Sequence, residues 1–290
     1  MTGARMIITV IGSTGTIGSE LVRLLSKAGA PARAVFRDPR KVQSLPGVAW
    51  TQADLRDGPA LEAAIAGTTR LFLLTDNQPG FAKLQIQILR TAESLGVAHV
   101  VKLSALGASD HSKSWIAREH HDVENVLRQS SMQWTILRPH AFMQNWLGDV
   151  AESVRSRGII ESPIGDGRVP FIDTRDIAAV AAEVLLHPEE HAGRKYVLTG
   201  GEAVGFNDIA QILGVTYKPI TLDEARARLE SSGLHRDQID GMLAISAYQR
   251  AGGPTSIISD TVARILGRPP RTIREFFADH AGAFLPTQPA

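Results

Sequence analysis

Short, continuous apolar runs rich in β-branched residues alternate along the chain with longer segments whose apolar residues recur every three or four positions. The first run, Ile7, Ile8, Val10 and Ile11, predicts a strand of a parallel sheet covered on both faces. Similar runs predict strands at 32–37, 48–53, 70–75, 99–104 and 133–137. Helices are expected between them over 19–28, 58–66, 81–95 and 113–129. The third carries a stripe of Leu84, Ile88 and Leu89 and ends at Gly96, a left-handed cap. Six strands alternating with helices predict an α/β fold, a doubly wound Rossmann-type parallel sheet over 1–145. Beyond 145 the alternation loosens. We expect a glycine-rich loop over 164–173 leading into a short strand, and a helix over 174–186. A strand over 196–200, a helix over 206–213, a short strand near Tyr217 and helical segments to about Ala281 follow. No break in composition precedes this part. Residues 146–285 therefore read as a smaller, substrate-side α+β lobe, not an independent domain, and 286–290 as a frayed tail.

The first strand runs straight into Gly12, Gly15 and Gly18 before a helix. In a strand–loop–helix unit each glycine has a physical task. Gly12 allows a sharp turn off the strand, Gly15 lets backbone N–H groups approach a pyrophosphate, and Gly18 lets helix and strand pack closely. The phosphates would meet the positive end of the helix dipole. Ser13, Thr14 and Thr16 add hydroxyl donors, and Ile17 completes the candidate dinucleotide loop. The second strand ends at Arg37, where NAD-binding chains carry an acid for the ribose 2′-hydroxyl; Arg40 and Lys41 follow. A guanidinium there suits a 2′-phosphate and favours NADP(H) over NAD(H), unless the segment is only a solvated basic loop. Asp38, before Pro39, reads as a turn or cap residue. Asp54, followed by Leu55, either accepts from the adenine amino group or caps the next helix. Thr75 opens a loop at the C-terminal end of the fourth strand, and Ser104 closes the fifth, both on the ligand-binding edge of such sheets.

The remaining composition narrows the function. The 290 residues are 43% hydrophobic, with 31 Lys and Arg against 30 Asp and Glu, a formal charge of +1 that argues against nucleic acid as the main partner. With no cysteine there is no thiol catalysis, disulfide or cysteine-ligated metal. No run of about 18 apolar residues predicts a membrane span, and the N-terminus leaves no room for a signal peptide, so a cytoplasmic protein is the expectation. His120 and His121 point about 100° apart on a helix and lack a third ligand, so no metal site is expected.

Several pieces in a fixed order, Gly12 to Gly18, Phe36 to Pro39, Ala53 to Leu55, Lys102 to Ser104, Leu137 to Asn145, and Phe171 to Asp173 with Asp176 to Ala178, resemble the NmrA-like atypical short-chain dehydrogenases/reductases. Within that group the chain is most similar to the bacterial NAD(P)H-dependent quinone and azo-dye reductases, a likeness shared by 222–225 and 267–272. The resemblance implies a Rossmann domain and NADP binding, with Pro139 bordering the nicotinamide. It leaves two activities open, because the group includes non-catalytic redox sensors. Ordinary short-chain dehydrogenases use Tyr-x-x-x-Lys, and here the only tyrosines are Tyr196, Tyr217 and Tyr248. Alignment on Glu124 puts Ile116 and His120 at those two positions. Reduction of a ketone makes a strongly basic alkoxide that needs a proton donor. A quinone accepting hydride becomes an anion of phenol-like basicity, pKa about 10, which asks far less.

The candidate catalytic residues are therefore Ser104, His120 and His140. His120 donates a proton or binds the nicotinamide ribose, or is merely a satisfied buried histidine. His140 lines the acceptor pocket or belongs to a surface loop. Trp115 reads as packed more readily than as a cap on the acceptor site. Phe142 and Trp146 share a helix face and read as core, and Asp173 and Asp176 as structural. The expected partner is a small-molecule acceptor, with no nucleic acid and no membrane; a protein partner belongs only to the sensor alternative.

Overall fold

The computed structural model describes residues 6–285. Nine strands are found there: β1 (Ile8–Val10), β2 (Ala32–Phe36), β3 (Val48–Gln52), β4 (Arg70–Leu73), β5 (His99–Leu103), β6 (Gln133–Pro139), β7 (Ile159–Ser162), β8 (Arg194–Leu198) and β9 (Thr216–Pro219). The helices are α1 (Thr16–Lys27), α2 (Gly58–Ile65), α3 (Phe81–Ser94), α4 (Trp115–Gln129), α5 (Asp149–Arg157) and α6 (Thr174–Leu186). They continue with α7 (Pro188–His191), α8 (Phe206–Leu213), α9 (Leu222–Ser231), α10 (Arg236–Ala251), α11 (Thr261–Leu266) and α12 (Ile273–Asp279). The chain forms two compact units. The first takes the described residues up to Ser112, then Ile116–Arg138 and Ile177–Val197; the second takes Lys113–Trp115, Pro139–Asp176 and the described residues from Leu198.

In the first unit the strands lie in the order β3-β2-β1-β4-β5-β6-β8, and every pair from β3 to β6 is parallel. Val10 stands opposite Ala34 on one side and Phe72 on the other. Sequence order reverses at β1, which leaves a crevice beyond the carboxyl ends of β1 and β4, the ligand-binding place of such sheets. β1 is fully buried, as its unbroken apolar run requires. Helix α1 holds itself to the sheet through Ile17, Leu21, Val22 and Leu25, one stripe at helical spacing, each worth roughly 1.5–3 kcal/mol when fully buried. Leu61 and Ile65 of α2, Ile88 and Leu89 of α3, and Val123 and Leu127 of α4 pack into one cluster with Leu71, Leu73, Val100 and Ile136 of the sheet.

The second unit carries its own core, in which Trp146 packs against Phe171, Phe206 and Phe277 at ring separations of 5.2–5.8 Å. A parallel two-stranded sheet pairs β7 with β9, Ile160 opposite Tyr217. Ile220, Ala225, Ile239 and Leu243 form a smaller cluster that includes residues of α9 and α10.

Four sequence expectations need correction. Helix α1 starts at Thr16, not Ser19, because the extended Gly15 is its N-cap; Gly18 therefore sits inside the first turn. The short strand expected after the 164–173 loop is reduced to isolated bridges, Phe142 with Ile172 and Val169 with Val204. The strand expected over 196–200 is β8, which joins the main sheet as a seventh strand. For the same reason the chain does not divide once near residue 145. It changes unit at Pro139, but Ile177–Val197 returns to the first unit. The tail expected over 286–290 lies outside the described residues. Among the described residues no helix is long and apolar enough to cross a membrane.

Candidate functional site

At the end of β1 the Ile11 N–H still bonds the Phe72 carbonyl, and then the chain turns at Gly12 with φ +79°. A Cβ on Gly12 would lie 2.6 Å from the Leu74 carbonyl oxygen, and one on Gly18 only 2.0 Å from the Gly12 oxygen. Two of its glycines are thus required sterically, Gly12 by the chain just past β4 and Gly18 by the loop doubling back on itself. The close contact of Gly18 is with the loop itself, not with the strand. Gly15 is different: its φ is −84° and an added Cβ would meet only the Gly12 oxygen, at 3.4 Å. Its reason for being glycine is therefore space for something outside the chain. No side chain caps α1 and no acid sits in its first turn. The first-turn N–H donors and the positive end of the helix dipole are left for an anion, and a dinucleotide pyrophosphate fits these residues.

The hydroxyls divide by environment. Ser13 was expected to serve phosphate, but it is fully buried and donates to the Val35 carbonyl at 2.6 Å. It ties the loop to β2. Thr14 is half-buried and Thr16 exposed, while the Ile17 side chain is buried in the core, leaving only its backbone for a ligand.

At the far edge of the loop region Arg37 follows β2 directly. Its side chain is 70% exposed, and its nearest charged neighbour is the Asp76 carboxylate at 3.8 Å. Lys41 is exposed as well. Arg40 is not equally available: Asp38 caps the short 3₁₀ turn 39–41 and pairs with its guanidinium at 2.9 Å. Asp54 does not cap α2, whose N-cap position is Asp57. Its carboxylate instead accepts from the Arg56 N–H at 3.1 Å and from the Arg56 guanidinium at 2.7 and 3.0 Å, and the guanidinium holds it down to about pKa 2. Leu55 packs against the core, and Thr75 accepts from buried Gln85 at 2.7 Å.

A buried polar cluster is built where the carboxyl half of β5 meets α4. Lys102 is fully buried. Its Nζ donates to the Leu103 carbonyl and to His120 Nδ1, the latter at 3.2 Å. Burial pushes this lysine down to about 7, against the opposing pull of Glu124. The His120 ring lies 4.7 Å from that of Phe81 at the start of α3. Burial, then Lys102 and Arg138, hold His120 well below the usual imidazole range, so it is neutral near pH 7. An ammonium can only donate, which makes Nδ1 the acceptor and places the proton on Nε2. One turn further along α4, Glu124 accepts from Ser104 Oγ at 2.6 Å and from Arg138 at 2.6 and 2.8 Å. The Ser104 hydroxyl proton is thereby committed, and the oxygen faces any ligand as an acceptor.

A model of the NmrA-like family matches residues 5–223. The chain belongs to the NmrA-like family. It is 36% identical to an NAD(P)H azoreductase of Xenophilus azovorans, over 96% of this chain and 99% of that one. It is 30% identical to quinone oxidoreductase 2 of Escherichia coli, over 92% and 96%. The solved structure of an NADPH-dependent quinone oxidoreductase from Escherichia coli complexed with NADPH superposes with a TM-score of 0.84 at 29% identity, covering 95% of this chain and all of that one.

In this NmrA-like chain His140 belongs to the second unit, just beyond Pro139 at the end of β6, and is not the exposed loop residue that one expectation allowed. Its Nε2 donates to the Thr255 carbonyl at 2.9 Å and its Nδ1 accepts from the Ala141 N–H at 2.7 Å. Both nitrogens are spent on the fold, and burial holds the ring down to about 4. With both ring nitrogens tied into the fold, His140 has a structural role beside the pocket-lining one expected of it. Trp115 donates its indole N–H to the Asp237 carbonyl at 2.6 Å and fills the space beside Gly241, the packed reading. Asp173 pairs with Arg175, and Asp176 with Arg268 and Arg271, both buried and structural. The sequence reading passed over Lys102 and Arg138 as functional groups, and treated Glu124 only as an alignment mark. One signal was available: Lys102 interrupts the apolar run of Val100, Val101 and Leu103, and His120 and Glu124 stand four residues apart beside Val123 and Leu127 on a helix face.

Proposed function

We propose that the protein is an NADPH-dependent reductase that passes hydride to a small planar electrophile, a quinone or an azo compound. The observation that carries this is the intact, uncapped glycine loop in a chain that resembles an NAD(P)H azoreductase from end to end. Gly12, Gly15 and Gly18 shape the cradle; the first-turn N–H groups with Thr14 and Thr16 hold the pyrophosphate. Arg37, with Lys41, takes the 2′-phosphate, and Asp54, Leu55 and Thr75 border the adenosine half. Pro139 and Ser104 border the nicotinamide. The reduced nicotinamide, when bound, supplies the hydride. The chain's own task is to hold acceptor and nicotinamide together and to supply a proton. His120 is the donor that fits, since its Nε2 carries a proton at neutral pH, whereas both nitrogens of His140 are engaged. Against a phenol-like anion, pKa about 10, a neutral imidazole is too weak an acid to act alone, so the proton leaving Nε2 must be replaced at Nδ1.

The test is oxidation of NADPH and of NADH by purified protein against a panel of quinones and azo dyes, with cofactor binding followed by fluorescence in the same samples. Turnover well above the protein-free rate, with NADPH preferred, is expected. Tight binding without turnover on any acceptor would replace the reductase reading with that of a redox sensor.

A further inference from the structure

We propose that Lys102 is the proton source behind His120, handing its ammonium proton to Nδ1 as Nε2 releases one to the reduced acceptor. This rests on the reductase reading above and assigns Lys102 a positioning and proton-supplying role, acting through the histidine.

The geometry supports it in three ways. A fully buried lysine is costly, and a leucine or methionine would fill its place in β5 at less expense. Yet Lys102 is held in one direction, by the Leu103 carbonyl and by His120 Nδ1. Second, His120 is anchored on one side only. Its interactions are the Lys102 bond at Nδ1 and the ring contact with Phe81; none of the hydrogen bonds of the described residues uses Nε2. Third, the neighbouring charges leave Lys102 free to act. The groups around it are His120 and Glu124 on α4 and Arg138 on β6, while α3 contributes the uncharged Phe81. Glu124 is already satisfied by Arg138 and Ser104, so it does not bind the lysine directly.

The chemistry requires such a partner. A neutral imidazole releases its Nε2 proton readily only if Nδ1 gains one at the same moment. In the step, the Nε2–H bond breaks and an O–H bond forms on the quinol anion. The Nζ–H bond breaks as the Nδ1–H bond forms. Ammonium, neutral imidazole and anion become amine, the other imidazole tautomer and neutral quinol, and charge and protons balance. A solvent proton taken by Nε2 drives the same exchange backwards and resets the pair. With Lys102 pushed down to about 7, the ammonium both exists at neutral pH and gives up its proton without a large barrier.

The experiment compares wild type with Lys102→Met and Lys102→Arg. Kinetics use NADPH and a quinone over pH 5.5–9, and ¹⁵N NMR follows histidine-labelled, cofactor-free protein. Wild-type kcat is expected to fall as pH rises through about 7. Lys102→Met should lose roughly 100-fold in kcat, the low end of general-acid contributions, and become flat with pH, while KM and NADPH binding change less than about threefold. Lys102→Arg, which keeps a charged donor but cannot deprotonate, should not restore kcat. The wild-type NMR spectrum should show His120 neutral and protonated at Nε2 down to pH 6; this reading does not depend on a variant folding. An Nδ1–H tautomer, or an unchanged kcat and pH profile in a folded Lys102→Met, overturns the relay while the reductase reading stands. Absence of turnover in wild type overturns both.

Discussion

Arg37 is one residue past β2, and its exposed guanidinium stands 3.8 Å from the Asp76 carboxylate and within electrostatic reach of Asp54. A charge-assisted hydrogen bond to a 2′-phosphate is worth about 1.5–3 kcal/mol. Arg37→Glu should therefore raise the Kd for NADPH roughly 10- to 100-fold and leave NADH within about threefold, by fluorescence titration. Equal losses for the two cofactors would remove the phosphate role. This residue was legible in the sequence because its place is fixed locally, at the end of the strand that follows the glycine loop. Asp38 was legible for the same reason, capping a turn two residues away. Ser13 was not: its hydroxyl goes to a carbonyl 22 positions further along the chain, on β2, so loop composition alone could not tell a phosphate donor from a buried tie. Lys102, Glu124 and Arg138 come from β5, α4 and β6, and only the folded sheet brings them within bonding distance. The relay partner of His120 lay 18 residues upstream, inside a strand whose apolar neighbours dominated its reading.

Helix α1 shows why the elements were more readable than the site. Its apolar stripe is a property of consecutive residues, and so is the glycine before it. The misplaced start came from placing Gly18 ahead of the helix, when it is a helical residue kept small by the Gly12 carbonyl. The two remaining glycines of the motif can be separated by experiment. In an ordinary helix interior, glycine to alanine stabilises by about 1 kcal/mol. Gly18→Ala should do the opposite, because the added carbon would stand 2.0 Å from backbone oxygen and the loop would have to open. Its urea midpoint should fall, and cofactor binding with it. Gly15→Ala should fold with unchanged stability, since its φ is ordinary and its nearest contact is 3.4 Å. It should nonetheless bind NADPH at least tenfold more weakly. Unchanged binding in Gly15→Ala would mean that no ligand approaches the backbone there. The same contrast explains β8. Its run of residues announced a strand, but its place beside β6 is a fact of topology that no local pattern carries.

Three buried histidines among the described residues are held neutral by their burial, and they set how the molecule responds to acid. His99 and His120 lie in the first unit and His140 in the second. Burial holds His99 and His140 down to about 4 and His120 well below its usual range, whereas each titrates near 6.5 in the unfolded chain. Between those values the unfolded state binds more protons than the folded one. The stabilisation from neutral burial is therefore complete above about pH 6.5 and is lost as pH falls toward 4, by up to ~3 kcal/mol for each of His99 and His140. The carboxylates do not blur this window. Asp54 and Glu161 are held at about 2 by their arginine partners, so their contribution fades only below about 4. Lys102 does not blur it either: its folded value near 7 changes stability on the alkaline side, where stability rises with pH from about 7 to 10.5. Thermal midpoints should thus fall slightly from pH 8 to about 7 as Lys102 takes up its proton, stay nearly level to about 6.5, and then drop steadily to pH 4.5. His99 bonds Thr135 through Nε2 at 3.0 Å, a contact a glutamine amide can imitate. His99→Gln should flatten part of that drop, and its midpoint should approach or pass wild type at pH 4.5. A midpoint that stays level to pH 4.5, or a His99→Gln curve parallel to wild type throughout, would show that these rings are not what acid attacks first.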